Sequence, residues 1–232
     1  MNIIITGASK GIGKELSMLM SVSPDNSLLI ISRTANALKS IKEDSANKNV
    51  SYIADDLNHL VKSPEKLLKL ISGHFSHIDI LINNAGYLVR SPFGELRASD
   101  EELIINTNFL TPARFTRIVL PLLGRGSHVV NIGSMAGYQG SSKYSGLAMY
   151  GAAKAALSSL TEALAVEYAD KGIKFNCLSI GSVQTEMFEI AFPGFKAPLN
   201  AKQMAEFVSW FAFNGHKYFN GMILPVASAN PG

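Results

Sequence analysis

Asn2-Ile3-Ile4-Ile5-Thr6-Gly7-Ala8-Ser9-Lys10-Gly11-Ile12-Gly13 is the stretch that decides the fold. Residues 2–6 form a short run rich in β-branched side chains, of the kind buried on both faces of a parallel sheet. The glycines that follow, Gly7, Gly11 and Gly13, permit a tight turn and let the backbone approach a phosphate at the start of a helix. A helix N-terminus presents free N–H groups and the positive end of its dipole. Strand, glycine loop and helix in this order therefore predict a pyrophosphate cradle, with Ser9, Lys10 and Ile12 in its wall.

The rest of the chain repeats this alternation. Residues 28–32, 50–54, 80–83, 128–132 and 174–179 read as further buried strands, and 222–226 as a seventh. Amphipathic segments lie between them, among them 14–20, 64–71, 101–122 and 149–168. Alternating βαβ units predict an α/β fold: one domain over residues 1–232, a Rossmann-like doubly wound parallel sheet of about seven strands with helices on both faces. No internal repeat or low-complexity tract interrupts it, and residues 229–232 read as a loose tail.

Composition narrows the partners. At 232 residues with 47% hydrophobic and 17% charged content, the chain can bury one sizeable core. Its formal charge of +3 is spread along the sequence rather than massed, which favours a small anionic partner over nucleic acid. The apolar runs 28–31 and 78–82 fall well short of the roughly twenty residues that cross a bilayer. Cys177 is the only cysteine, and the start of the chain runs into Ile3 without a basic region and cleavage site, so a cytoplasmic protein is expected. His59, His74, His77, His128 and His216 show no metal-ligand spacing, and no metal is expected.

Tyr150 and Lys154 lie four residues apart and share one face of a helix. A phenol is a poor acid at neutral pH; an ammonium one turn away favours its phenolate and is expected to pull its pKa toward the working range. Taken together, Gly7-x-x-x-Gly11-x-Gly13, Asn83-Asn84-Ala85-Gly86 and Tyr150-x-x-x-Lys154 resemble the short-chain dehydrogenase/reductase family over nearly the entire chain. The resemblance implies an oxidoreductase that passes a hydride between a nicotinamide cofactor and a carbonyl or alcohol.

The choice of cofactor turns on the end of the second strand. A carboxylate there would clasp a ribose 2′-hydroxyl, but this chain offers Ser32-Arg33-Thr34. A guanidinium suits a 2′-phosphate, and Lys10 matches the second phosphate-reading position of NADP-preferring relatives, so NADPH/NADP is expected. The family pattern further implies Asp56 and Leu57 at the adenine, with Asp55 as rival. It implies Asn83, Ala85 and Gly86 along the cofactor, Asn83 being the favoured contact. Gly181, Val183 and Thr185 would lie near the nicotinamide, although Ile180 stands where the family has proline.

The same resemblance makes Ser134 the carbonyl anchor, Tyr150 the proton donor and Lys154 both its modulator and a ligand of the nicotinamide ribose. Asn108, rather than Asn106, is implied as the proton-relay asparagine. The family spaces this serine and tyrosine more closely, so residues 138–144 carry a small insertion, and Ser141, Ser142 and Ser145 are lesser candidates for the anchor. Residues 186–197, with Met187, Phe188, Phe192, Pro193 and Phe195, read as an apolar lid or as packing surface. The expected reaction is reduction of a ketone or aldehyde, including a dicarbonyl or pterin side chain given a similarity to sepiapterin-reductase-type members. The alternatives are a 3-oxoacyl thioester reductase and a non-catalytic NADP(H)-binding sensor. Relatives imply a homodimer or homotetramer joined through residues 101–122 and 149–168.

Overall fold

The computed structural model describes residues 1–46 and 48–228, so the tail at 229–232 lies outside the described residues. The strands are β1 (Asn2–Thr6), β2 (Ser27–Ser32), β3 (Val50–Ala54), β4 (Ile80–Asn83), β5 (His128–Ile132), β6 (Lys174–Ile180), β7 (Val183–Gln184), β8 (Leu199–Asn200) and β9 (Ile223–Val226). Seven of them form one parallel sheet in the order β3-β2-β1-β4-β5-β6-β9; β7 and β8 make a separate two-residue ladder. The helices are α1 (Gly11–Met20), α2 (Ala35–Asp44), α3 (Leu57–Leu60), α4 (Pro64–Ser72), α5 (Ala98–Ile105), α6 (Thr111–Val119), α7 (Ala148–Glu167), α8 (Glu186–Ala191) and α9 (Ala201–Asn214).

Both faces of the sheet are covered, which is why its strands read as continuous apolar runs. Ile3, Ile5, Leu28 and Ile30 pack with Leu16, Leu38, Val208 and Phe211 from α1, α2 and α9. Alternate residues Ile4, Leu29, Ile31 and Val129 face the other way, onto Leu67 and Ile71 of α4 and Phe115 and Val119 of α6. On the first side His128 is also fully buried, with Nδ1 3.0 Å from the Ala212 carbonyl; burial lowers its pKa to about 4 and keeps the ring neutral.

The segment expected as one helix over 101–122 is interrupted. It runs as α5, a π-helical turn over Asn106–Leu110, α6, and a 3-10 turn over Leu120–Leu122. Two residues account for the break. Pro112 has no N–H to give to the carbonyl of Asn108 in the α-helical pattern, and Asn108 turns its side chain inward to bond backbone.

Strand order reverses between β2 and β4 on either side of β1, which opens a crevice at the carboxyl ends of these strands. The chain is stapled there. Thr6 Oγ1 accepts from the backbone N–H groups of Asn84 and Ala85, both at 3.1 Å, and Asn84 Nδ2 donates to the carbonyls of Thr6 at 3.0 Å and Gly7 at 3.2 Å. Gly7 adopts φ +69°, and a Cβ on it would lie 2.7 Å from the Cα of Ala85. A Cβ on Gly13 would lie 2.3 Å from the carbonyl oxygen of Gly7, so the first turn of α1 rests directly on the loop that leads into it.

Gly13→Ala is expected to lower stability by about 1–3 kcal/mol, because backbone must move to admit the methyl group. The check is the urea midpoint at unchanged m-value; an unaltered midpoint would contradict this packing.

Candidate active site

One pocket occupies the crevice and gathers most of the predicted residues. Gly7, Ser9, Lys10, Gly11 and Ile12 line it from the glycine loop, Ser32 and Arg33 from the end of β2, and Asp55, Asp56 and Leu57 from beyond β3. Ala85 and Gly86 follow β4, Ser134 follows β5, Tyr150 and Lys154 face it from α7, and Gly181, Val183 and Thr185 follow β6.

Four predicted residues stand outside its wall. Gly13 serves the packing of α1 just described. Thr34 is exposed at the start of α2, its N–H directed at Ser32 Oγ. Asn83, the favoured cofactor contact, is instead buried between sheet and helix: its Nδ2 donates to Thr116 Oγ1 at 3.0 Å and Asn131 Oδ1 at 2.8 Å. Period-two alternation explains the difference, since the last strand residue faces inward and Asn84 is the one that reaches the pocket. Asn108 is fully buried behind the wall. Its Nδ2 donates to the carbonyls of Tyr87 at 2.7 Å and Ile104 at 2.9 Å, and its Oδ1 accepts from the Tyr87 N–H at 3.2 Å. It thereby ties the π turn to the segment leaving β4.

Close backbone packing sets Ser134 against Tyr150. The 3-10 turn Met135–Gly137 lies on the first turns of α7: a Cβ on Gly151 would come within 2.7 Å of the Ala136 carbonyl, and one on Gly137 within 2.6 Å of the Ala155 nitrogen. Ser134 caps this turn, its Oγ accepting from the Ala136 N–H at 3.1 Å, and both Ser134 and Tyr150 line the pocket. The serine is therefore both a cap and a pocket group.

Burial governs the proton chemistry. Tyr150 is pushed up to about 12 by desolvation of its phenolate, against which the neighbouring Ser134 hydroxyl pulls down. Lys154 is only 4% exposed and falls to about 8, because burial penalises its ammonium, with Cys177 opposing the shift. Its Nζ donates to the Ile132 carbonyl at 2.8 Å and lies 5.9 Å from the centre of the Tyr150 ring. The lowering of the tyrosine by its neighbouring ammonium, expected from the spacing, is not among the influences on Tyr150, where desolvation dominates and Ser134 opposes it; the lysine is anchored to backbone.

The far end of the pocket suits phosphate. Lys10, the residue before α1, makes no side-chain cap, so the N–H groups of that first helical turn are left for another acceptor. Lys10 and Arg33 are both exposed there, and no acidic side chain stands at the end of β2. Asp56 Oδ1 caps α3 by accepting from the Asn58 N–H at 2.9 Å, and Asp55 Oδ1 accepts from the Asp56 N–H at 2.7 Å; both carboxylates line the pocket. A nicotinamide dinucleotide fits this combination of a glycine cradle without room for Cβ atoms, uncapped N–H groups and two cations.

The opposite end is apolar. Leu88, Tyr144, Leu147, Met187, Phe188 and Phe192 line it, while Phe195 points away and is 66% exposed. Residues 186–197 therefore contribute wall through α8 and Phe192 and surface through Phe195. Asn84, Tyr87, Leu88 and Tyr144 were not singled out from the sequence. The doubled asparagine was the available signal for Asn84; Tyr87 and Leu88 simply follow the Asn-Asn-Ala-Gly motif, and Tyr144 belongs to the inserted loop.

Comparison with known proteins agrees with this geometry. A family model for short chain dehydrogenases matches residues 1–193. An uncharacterised oxidoreductase of Staphylococcus epidermidis is 30% identical over 208 residues, covering 88% of this chain and 87% of its own. An NADP-dependent 3-hydroxy acid dehydrogenase of Schizosaccharomyces pombe is 32% identical over 201 residues, covering 84% of this chain and 76% of its own. The solved structure of ElxO with NADP bound superposes with a TM-score of 0.83 at 28% identity, over 97% of this chain and 96% of that one. The chain belongs to the short-chain dehydrogenase family, oxidoreductases that bind a nicotinamide cofactor.

Proposed function

We propose that the protein is an NADPH-dependent reductase of a ketone or aldehyde. The observation that carries this reading is that Ser134 and Tyr150 line the pocket together beside buried Lys154, at one end of a pocket whose other end holds Lys10 and Arg33 and no carboxylate after β2. The cofactor named in the S. pombe relative and the NADP bound to ElxO support the same choice of dinucleotide.

Bound NADPH supplies the hydride that reduces the carbonyl carbon. Ser134 Oγ donates to the carbonyl oxygen and fixes its position, which lowers the cost of the negative charge developing there. Tyr150 Oη gives its proton to that oxygen. With a pKa near 12 the phenol holds its proton at neutral pH, yet an alkoxide is the stronger base, so the transfer runs downhill. Lys154, one turn on, carries positive charge toward the phenolate as it forms and contributes to holding the ribose. Asn108 serves the relay through its backbone: Pro112 deprives the Asn108 carbonyl of its α-helical donor, leaving an acceptor for a water that links Lys154 to solvent.

Tyr150→Phe is expected to retain NADPH binding, measured by cofactor fluorescence, while lowering kcat by about a hundredfold or more. Retained turnover would contradict the proton-donor role, and NADPH binding without turnover in the wild type would favour a sensor instead. Arg33→Ala is expected to raise KM for NADPH about tenfold and leave that for NADH unchanged, since only the 2′-phosphate loses its partner. Equal effects on both cofactors would remove Arg33 from phosphate recognition.

A further inference from the structure

The apolar end of the pocket is built from aromatic rings held in a fixed arrangement. Phe188 and Phe192 stack at 5.1 Å with an interplanar angle of 27°, and Tyr144 meets Phe192 edge-on at 6.2 Å. All three line the pocket, yet they come from different segments: the phenylalanines from α8 and the residue after it, the tyrosine from the loop between Gly137 and α7. Such a wall is useful only if it is rigid, and both sources are tied down.

The tyrosine loop is held from two sides. Lys143 Nζ donates to the carbonyls of Ala136 at 3.1 Å and Tyr138 at 2.6 Å and to Ser141 Oγ at 2.9 Å. From the segment after β4, the Ser91 N–H donates to the Gly146 carbonyl at 3.1 Å and Arg90 Nε to the Ser145 carbonyl at 3.3 Å. The guanidinium of Arg90 also lies 4.9 Å from the centre of the Phe192 ring, so one cation spans the tyrosine loop and the α8 segment. That segment is itself closed by the β7–β8 ladder and by Gln184, whose Oε1 accepts from the Ala197 N–H at 2.9 Å and whose Nε2 donates to Glu189 Oε1 at 2.9 Å.

Charge is excluded from this end. The charged residues lining the described pocket are Lys10, Arg33, Asp55, Asp56, Lys154 and Glu186. The first four stand at the ends of β1 to β3, Lys154 is bonded to Ile132, and Glu186 lies against Gly11. Arg90, with Nε on the Ser145 carbonyl and its guanidinium over Phe192, and Lys143, bonded to Ala136, Tyr138 and Ser141, stand outside that lining. Within the lining of this end a substrate carboxylate or phosphate would meet no charged side chain, whereas a flat uncharged ring would meet three others in the offset and edge-on geometries that aromatic pairs prefer.

Resting on the reductase reading, the geometry points to an aryl subsite: the substrate is an uncharged ketone, aldehyde or diketone that carries an aromatic ring beside its carbonyl, and Phe188, Phe192 and Tyr144 hold that ring. The S. pombe relative is named for a hydroxy acid; the uncharged lining of this wall favours a neutral substrate for the present chain.

The test compares three carbonyls with NADPH: 1-(4-fluorophenyl)propane-1,2-dione, 2,3-pentanedione and acetoacetate. The aryl diketone is expected to exceed acetoacetate in kcat/KM by about a hundredfold or more. Phe192→Leu and Tyr144→Leu, which keep apolar bulk, are each expected to lower the ratio of aryl to aliphatic diketone kcat/KM about fivefold. In parallel, the 19F line width of the aryl probe reports its binding to NADP-loaded protein and the weakening of that binding in each variant. Comparable turnover of all three carbonyls, with ratios unmoved in both variants, overturns the aryl subsite and leaves the reductase standing. Probe binding that depends on Phe192 and Tyr144 without turnover supports the subsite and overturns the reductase. Absence of both probe binding and aryl turnover overturns the subsite.

Discussion

The near-contact of backbone at the carboxyl ends of β1 and β4 is the constraint on which the remaining structure depends. Gly7 has no room for a side chain against Ala85, Gly13 has none against Gly7, and Asn84 and Thr6 close the junction with hydrogen bonds to main chain. This junction brings the start of α1, with its uncapped N–H groups, to the edge of the crevice where strand order reverses. A side chain at either glycine would push the helix off the loop and dissolve the phosphate end of the pocket. The catalytic end repeats the device, since Gly137 and Gly151 let the turn carrying Ser134 lie on the helix carrying Tyr150.

With the backbone so placed, desolvation decides what the side chains can do. Burial alone would give a phenol that never ionises and an amine that loses its charge, and both shifts are present: Tyr150 at about 12 and Lys154 at about 8. The raised tyrosine is compatible with donation to an alkoxide because only the relative basicity of the two oxygens matters. The lowered lysine is still charged at neutral pH, and its bond to the Ile132 carbonyl fixes the ammonium one helical turn from the phenol. In the mechanism we propose, proton delivery would rest on burial on one side and on the Ile132 carbonyl that holds Lys154 on the other.

Much of this was legible in the sequence because it depends on local pattern. Strands buried on both faces leave continuous apolar runs, and all seven in the main sheet begin within one residue of the expected position. The glycine loop and the Tyr150–Lys154 spacing are equally local. What escaped depends on contacts between distant segments. The inward turn of Asn83 requires knowing that Thr116 and Asn131 await it. The break at Asn108 requires the partnership with Tyr87 in addition to the visible Pro112. Tyr144 is placed by Lys143, Arg90 and Ser91, none of which carries a motif. Helix spacing shows that Lys154 is one turn from Tyr150, whereas the desolvation that raises the phenol is set by the whole fold.

In the mechanism we propose, Tyr150 protonates the carbonyl oxygen in the step that transfers the hydride. Single-turnover reduction, followed with NADPH and its 4-deuterated form in H2O and in D2O, tests it most directly. Deuteration of cofactor and of solvent is then expected to slow the same step, and the solvent effect to disappear in Tyr150→Phe. A hydride-transfer step insensitive to D2O in the wild-type protein would contradict it.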